Sequence, residues 1–136
     1  MEPVLIDTSV IIGVMRMHDN ALSLAERVKG RPKAITDGVI GELLAGARNK
    51  QEFFVLLRHL QDNFMWLSAS ERTSTLFRDI LIKHGPHRGV HLVDYQIAAA
   101  ALAHDMPLLT LNRKHVSFIE GLEFASTGSV VSLAER

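Results

Sequence analysis

The sequence contains no cysteine. That excludes a disulfide framework and any metal site built on thiolates. An excess of charge of either sign is also missing: 15 Lys and Arg balance 15 Asp and Glu, for a formal net charge of zero. A nucleic acid would therefore have to meet a local basic patch, because the fold as a whole is not basic. No apolar run approaches the ~20 residues that span a bilayer. No basic stretch follows Met1-Glu2-Pro3, so a cytoplasmic location without membrane attachment is expected. Repeats, low-complexity tracts and linkers are absent as well. What is there is ordinary globular material, 47% hydrophobic and 22% charged. At 136 residues the expectation is one domain over 1–136 with a real core.

Short apolar runs alternate with helical patterns. Val4-Leu5-Ile6 reads as a buried strand, Ser9 to Met15 as a short helix, and Asn20 to Val28 as a second helix that Gly30 stops. Lys33 to Thr36 reads as a second strand. Asp37 then caps a helix whose Val39, Ile40, Leu43, Leu44 and Ala47 form one apolar stripe, with Glu42 beside it. Asn49 with Glu52 has capping-box spacing ahead of a helix over Phe53 to Leu60, and Phe64 to Leu67 reads as a third strand. Ser68 with Glu71 is a second such box, opening a helix to about His84 that Gly85 ends. Residues 85–93 read as a Gly/Pro/His-rich loop and Asp94 as the start of an Ala-rich helix. Leu108 to Leu111 form a fourth strand and Ser129 to Leu133 a short last one. This order predicts βαβ units: an α/β fold with a mostly parallel sheet and helices on both faces.

Three acids stand out against that frame. Asp7 closes the first strand, and open α/β sheets bind ligands outside the carboxyl ends of their strands. Glu42 edges the apolar stripe, and Asp94 opens the Ala-rich helix. Three converging carboxylates repel one another unless a cation neutralises them, and hard divalent cations take oxygen ligands. The pattern points to metal-dependent phosphoryl transfer. Each acid alone has a plainer reading: a cap for Asp7 and Asp94, a solvated helix face for Glu42.

Four stretches carry a resemblance: LIDTSVII at Leu5 to Ile12, GELLAGAR at Gly41 to Arg48, VDYQIAAAAL at Val93 to Leu102, and LLTLNRKH at Leu108 to His115. Together, in order and spacing over nearly the whole chain, they resemble PIN-domain ribonucleases of the VapC toxin type. The resemblance implies a three-layer α/β/α sandwich, Mg²⁺ or Mn²⁺ in an acidic pocket, RNA cleavage to a 5′-phosphate and a 3′-hydroxyl, a small antitoxin partner and a homodimer. It makes Asp7, Glu42 and Asp94 the catalytic acids, with Asp7 and Asp94 the metal ligands. The family's fourth acid falls at His115, with Asn112 three residues earlier, so this chain departs from the pattern there. Thr8 and, less so, Ser9 could support a ligand carboxylate. Arg48, Arg113 and Lys114 could meet RNA phosphates, as could Lys50 and Arg88.

Other readings compete. A dehalogenase-like phosphatase wants a second Asp two residues after the first, where this chain has Ser9. A receiver domain wants its acceptor Asp after the third strand, where Trp66-Leu67-Ser68 has none. A PIN-like module that binds RNA or a partner without cutting stands as the alternative. His84, His87 and His91 suggest zinc, but no HExxH spacing accompanies them, and a solvated loop is expected. Phe53, Phe54, Phe64 and Phe77 are expected in the core, and Leu56, Leu57 and Leu60 in the core or a dimer interface.

Overall fold

A computed structural model describes residues 2–125. The chain runs β1 (Val4–Ile6), α1 (Thr8–Met15), α2 (Asp19–Arg27), β2 (Lys33–Thr36), α3 (Asp37–Ala45), α4 (Lys50–Asn63), β3 (Met65–Leu67), α5 (Glu71–Arg88), α6 (Leu92–Ala103) and β4 (Leu108–Leu109), followed by a 3₁₀ turn at Arg113–His115. All strand pairs are parallel, in the order β3-β2-β1-β4. α1 packs on α2 and α3, α3 on α4, and α5 on α6; crossovers of the usual right hand would put the first four helices and the last two on opposite faces. This is the expected α/β/α sandwich.

The centre of the sheet is its driest part. Val4 and Leu5 of β1 and Ala34 and Ile35 of β2 are all 0% exposed, so these strands read as continuous apolar runs, as strands covered on both faces must. On α6, Ala98 to Ala101 are buried, and their small side chains let the helix lie close to its neighbours. Gly13 does the same for α1: a Cβ built there would come 2.5 Å from the Ala21 Cβ of α2.

Several boundaries differ from the sequence reading. The α5 helix runs through Gly85 and Pro86 to Arg88. Pro86 lies in its last turn, where the missing N–H costs one bond close to the helix end. The stop is Gly89, whose φ of +83° is a left-handed conformation suited to glycine. The connection to α6 therefore shrinks from nine residues to a tight turn, held by Tyr95, whose hydroxyl donates to the Gly89 carbonyl at 2.8 Å. The cap of α5 is Ser70, accepting from Thr73 N, in place of Ser68. Thr36 caps α3 in place of Asp37, while Asn49 caps α4 as expected, accepting from Glu52 N. β4 ends at Leu109, because Thr110 turns its hydroxyl toward Asp7. Phe53 and Phe54 are exposed on α4 rather than in the core, whereas Leu60 is fully buried and so is no interface residue. The expected strand at Ser129 to Leu133 lies outside the described residues.

Candidate active site

The register pairs Ile6 with Leu109, so the next residues along, Asp7 and Thr110, stand side by side at the carboxyl ends of β1 and β4. Strand order reverses here: β2 and β3 add to one side of β1 and β4 to the other. Such a reversal opens the crevice in which doubly wound sheets hold ligands.

Asp7 is 3% exposed. It occupies the cap position of α1, but its carboxylate makes no cap bond, which removes the plainer reading. Its Oδ2 instead accepts from Ser9 Oγ and Thr110 Oγ1, each at 2.7 Å. Both hydroxyls are fixed in turn: Leu111 N donates to Ser9 Oγ at 3.1 Å and Asn112 N to Thr110 Oγ1 at 3.0 Å. With both hydroxyls directed at Oδ2, Oδ1 has no donor among the described residues, and no side-chain cation pairs with this carboxylate there. A carboxylate taken out of water without a counter-charge is costly. A hard cation on Oδ1 removes that cost, so the donor set fits a divalent ion.

Thr8, next along, donates its hydroxyl to Glu42 Oε1 at 2.7 Å. Glu42 is exposed on α3 and lines an open groove of about 970 Å³, which also holds Ile12, Arg16 and His59. Ile12 and Arg16, one turn apart at the end of α1, wall this groove, and Thr8 lies one turn before them on the helix.

Asp94 lies in the first turn of α6, with His91 at the cap position. Its Oδ2 is 2.9 Å from His115 Nδ1. One strand of chain links this pair to Asp7: His115 N donates to the Asn112 carbonyl at 3.0 Å, and Asn112 N reaches Thr110. The structure thus joins Asp7 to Glu42 through Thr8, and Asp94 to His115. The three acids do not come together as a cluster of ligand atoms. Among the described residues that cluster is His91, Asp94 and His115, whose donor atoms lie within 4.8 Å of one another.

The family model for the PIN domain matches residues 4–119. The chain belongs to the PIN-domain family. Ribonuclease VapC19 of Mycobacterium tuberculosis is 31% identical over 122 residues, covering 88% of this chain and 96% of that protein. VapBC-1 of nontypeable Haemophilus influenzae shares this PIN domain's fold at a TM-score of 0.74 and 24% identity, over 90% of this chain and 96% of the other. VapBC2 of Rickettsia felis, solved on a DNA fragment from its promoter, gives 0.73 at 21% identity, over 90% and 96%.

The expected basic contacts of the PIN domain are partly engaged elsewhere. Arg48 pairs with Glu52 at 2.9 Å, Arg113 lies over the Phe124 ring at 4.3 Å, and Arg88 lies over Phe118 at 4.0 Å. Lys50 and Lys114 are exposed. Sequence reasoning missed Thr110, Arg16 and His91. Thr110 could have been found as the polar residue one step past a buried strand. Arg16 follows Thr8 by eight residues, on the same helix face. His91 was read as part of a solvated loop with His84 and His87; those two lie on α5, while His91 stacks on His115 with ring centroids 5.1 Å apart.

Proposed function

We propose that this PIN domain is a metal-dependent endoribonuclease, the toxin of a VapC-type toxin–antitoxin pair acting in the cytoplasm. The observation that carries the reading is the buried Asp7 carboxylate, clamped on one oxygen by two hydroxyls and bare on the other. The 31% identity to a ribonuclease, over 88% of this chain and 96% of that protein, supports it. Asp7 and Asp94 would hold the cation, Mg²⁺ or Mn²⁺. A cation held there acidifies a water and offsets charge developing on the phosphoryl oxygens. Ser9 and Thr110 fix the Asp7 carboxylate, so that it need not reorganise as that charge builds. Thr8 holds Glu42 at the mouth of the groove, where its free oxygen can take a proton from the attacking water. Asn112 positions Thr110 and His115 through its backbone. Arg16, Lys50 and Lys114 supply the exposed positive charge that RNA phosphates need.

A small antitoxin and a homodimer belong to the same reading. The solved VapBC assemblies support the first, and exposed Phe53, Phe54 and Val55 on α4 offer apolar surface to either partner. His115, standing where the family carries an acid, favours a second reading: a PIN module that binds RNA without cutting it. The test is cleavage of a mixed pool of end-labelled structured RNAs with Mg²⁺, Mn²⁺ or chelator, using wild type and Asp7→Asn. Metal-dependent cuts that vanish in the variant establish the nuclease. No cuts by folded wild type with either metal select the second reading.

A further inference from the structure

The site has two sides of different chemistry. Around Asp7 every donor is oxygen: the carboxylate, the hydroxyls of Ser9 and Thr110, and across Thr8 the Glu42 carboxylate. Around Asp94 two of the three donors are imidazole nitrogen. Hard Mg²⁺ favours the first set, whereas imidazole suits borderline ions of the zinc class.

Each of the two rings has a lone pair to offer. His91 Nε2 lies 3.1 Å from the Arg88 carbonyl oxygen, which can only accept. Nε2 therefore carries the proton and Nδ1 the lone pair. His115 Nδ1 lies 2.9 Å from Asp94 Oδ2; a divalent cation takes the place of the proton between these two atoms, so that both become ligands and the ring carries its proton on Nε2. A carbonyl on the second ring nitrogen, as on His91, is the arrangement that fixes the tautomer of metal-binding histidines. The rings are stacked at an interplanar angle of 11°. All three side chains are half-buried, so the cluster is open to an incoming ion. Zinc bonds of about 2.0–2.1 Å place tetrahedral ligand atoms roughly 3.3 Å apart. For three atoms to share one ion, the separation of at most 4.8 Å must shorten and the stacked rings must turn toward each other.

The geometry points to a site for a borderline divalent cation, of which Zn²⁺ is the probe, at His91, Asp94 and His115, with three protein ligands and a fourth position open. It is distinct from the oxygen site at Asp7 and shares only Asp94 with the nuclease reading. Three ligands with an open position is the pattern of zinc sites that exchange ligands or take substrate, whereas closed sites have four.

The test needs no RNA, so it stands or falls apart from nuclease activity. Zn²⁺ is titrated calorimetrically into the tag-free chain, and Co²⁺ is followed by its visible spectrum as a report of nitrogen-containing, low-coordinate geometry. Wild type, His91→Gln, His115→Gln, the double variant and Asp7→Asn are compared, each checked for fold by circular dichroism. The expected result is one Zn²⁺ per chain, weakened more than about 10-fold by either histidine change and unchanged in Asp7→Asn. Zn²⁺ affinity that survives the double variant would overturn the proposal. So would loss of Zn²⁺ in Asp7→Asn with both histidine variants intact, or no Zn²⁺ uptake by folded wild type.

Discussion

Thr110 Oγ1 donates to Asp7 Oδ2 at 2.7 Å, across 103 residues of chain. The same oxygen accepts from Asn112 N, so one hydroxyl both fixes the acid and starts the turn that carries His115. Thr110→Val removes both bonds at a buried position. An unfolding free energy lower by about 1–3 kcal/mol is expected, together with Mn²⁺ affinity about 10-fold weaker. Denaturant unfolding and calorimetry would measure the two, and wild-type values for both would refute the role.

Asp94→Asn keeps the shape of the first turn of α6 and its hydrogen bond to His115, but removes a charge. RNA cleavage is expected to fall by more than about 100-fold with the denaturation midpoint little changed. Unchanged turnover in a folded variant would remove Asp94 from the machinery.

His115→Asp puts an acid where the family carries one and leaves His91 as the one imidazole of the Asp94 cluster. Mn²⁺ should then bind more tightly and Zn²⁺ less. Paired titrations check both directions, and equal or weaker Mn²⁺ binding would contradict the expectation.

Gly13→Ala forces a methyl into the place where α1 meets Ala21 of α2, 2.5 Å from its Cβ. The contact is with another short, rigid side chain, so helix and helix must part. A loss of about 1–3 kcal/mol is expected. A variant as stable as wild type in urea would show that the helices part freely.

His84 contributes to the pH dependence of stability on the acid side. Its ring lies 4.6 Å from that of Phe118. Burial first, then the positive charges of Lys83, Arg88 and His87, hold its pKa below the ordinary 6.5. The unfolded chain therefore takes this proton more readily than the folded one. The stability it contributes is complete above pH 6.5 and is lost as pH falls through the lowered folded value. His84→Gln should flatten the dependence of the urea midpoint on pH in that window; an unaltered slope would exclude His84 as its source.

Most of the frame was legible because it rests on local pattern. Apolar runs mark the buried strands, and a polar residue at each exit marks the edge that binds ligand. Asp7 could be picked out in this way, Glu42 by its place beside an apolar helix stripe and Asp94 as the opening of the Ala-rich helix, although their mutual arrangement could not. The Thr8–Glu42 and Thr110–Asp7 bonds span 34 and 103 residues, and no spacing rule reaches across a crossover. The extension of α5 through Gly85-Pro86 was hidden for a different reason. Both residues are local helix breakers, and the turn is settled by Tyr95, whose hydroxyl bonds Gly89 from the next helix. That same extension moves His91 from a loop to the cap of α6, beside His115.

On the proposed reading, the strand order has a consequence for when the nuclease becomes active during its synthesis. Asp7 leaves the ribosome 103 residues before Thr110, and Asn112 and His115 follow later still. Because β4 docks against β1 and not against β3, a nascent chain can pair β1, β2 and β3 while the acid still lacks its clamp. On the proposed reading, a prematurely terminated product ending before Thr110 should then be inert, and cutting power should arrive in one late step of synthesis.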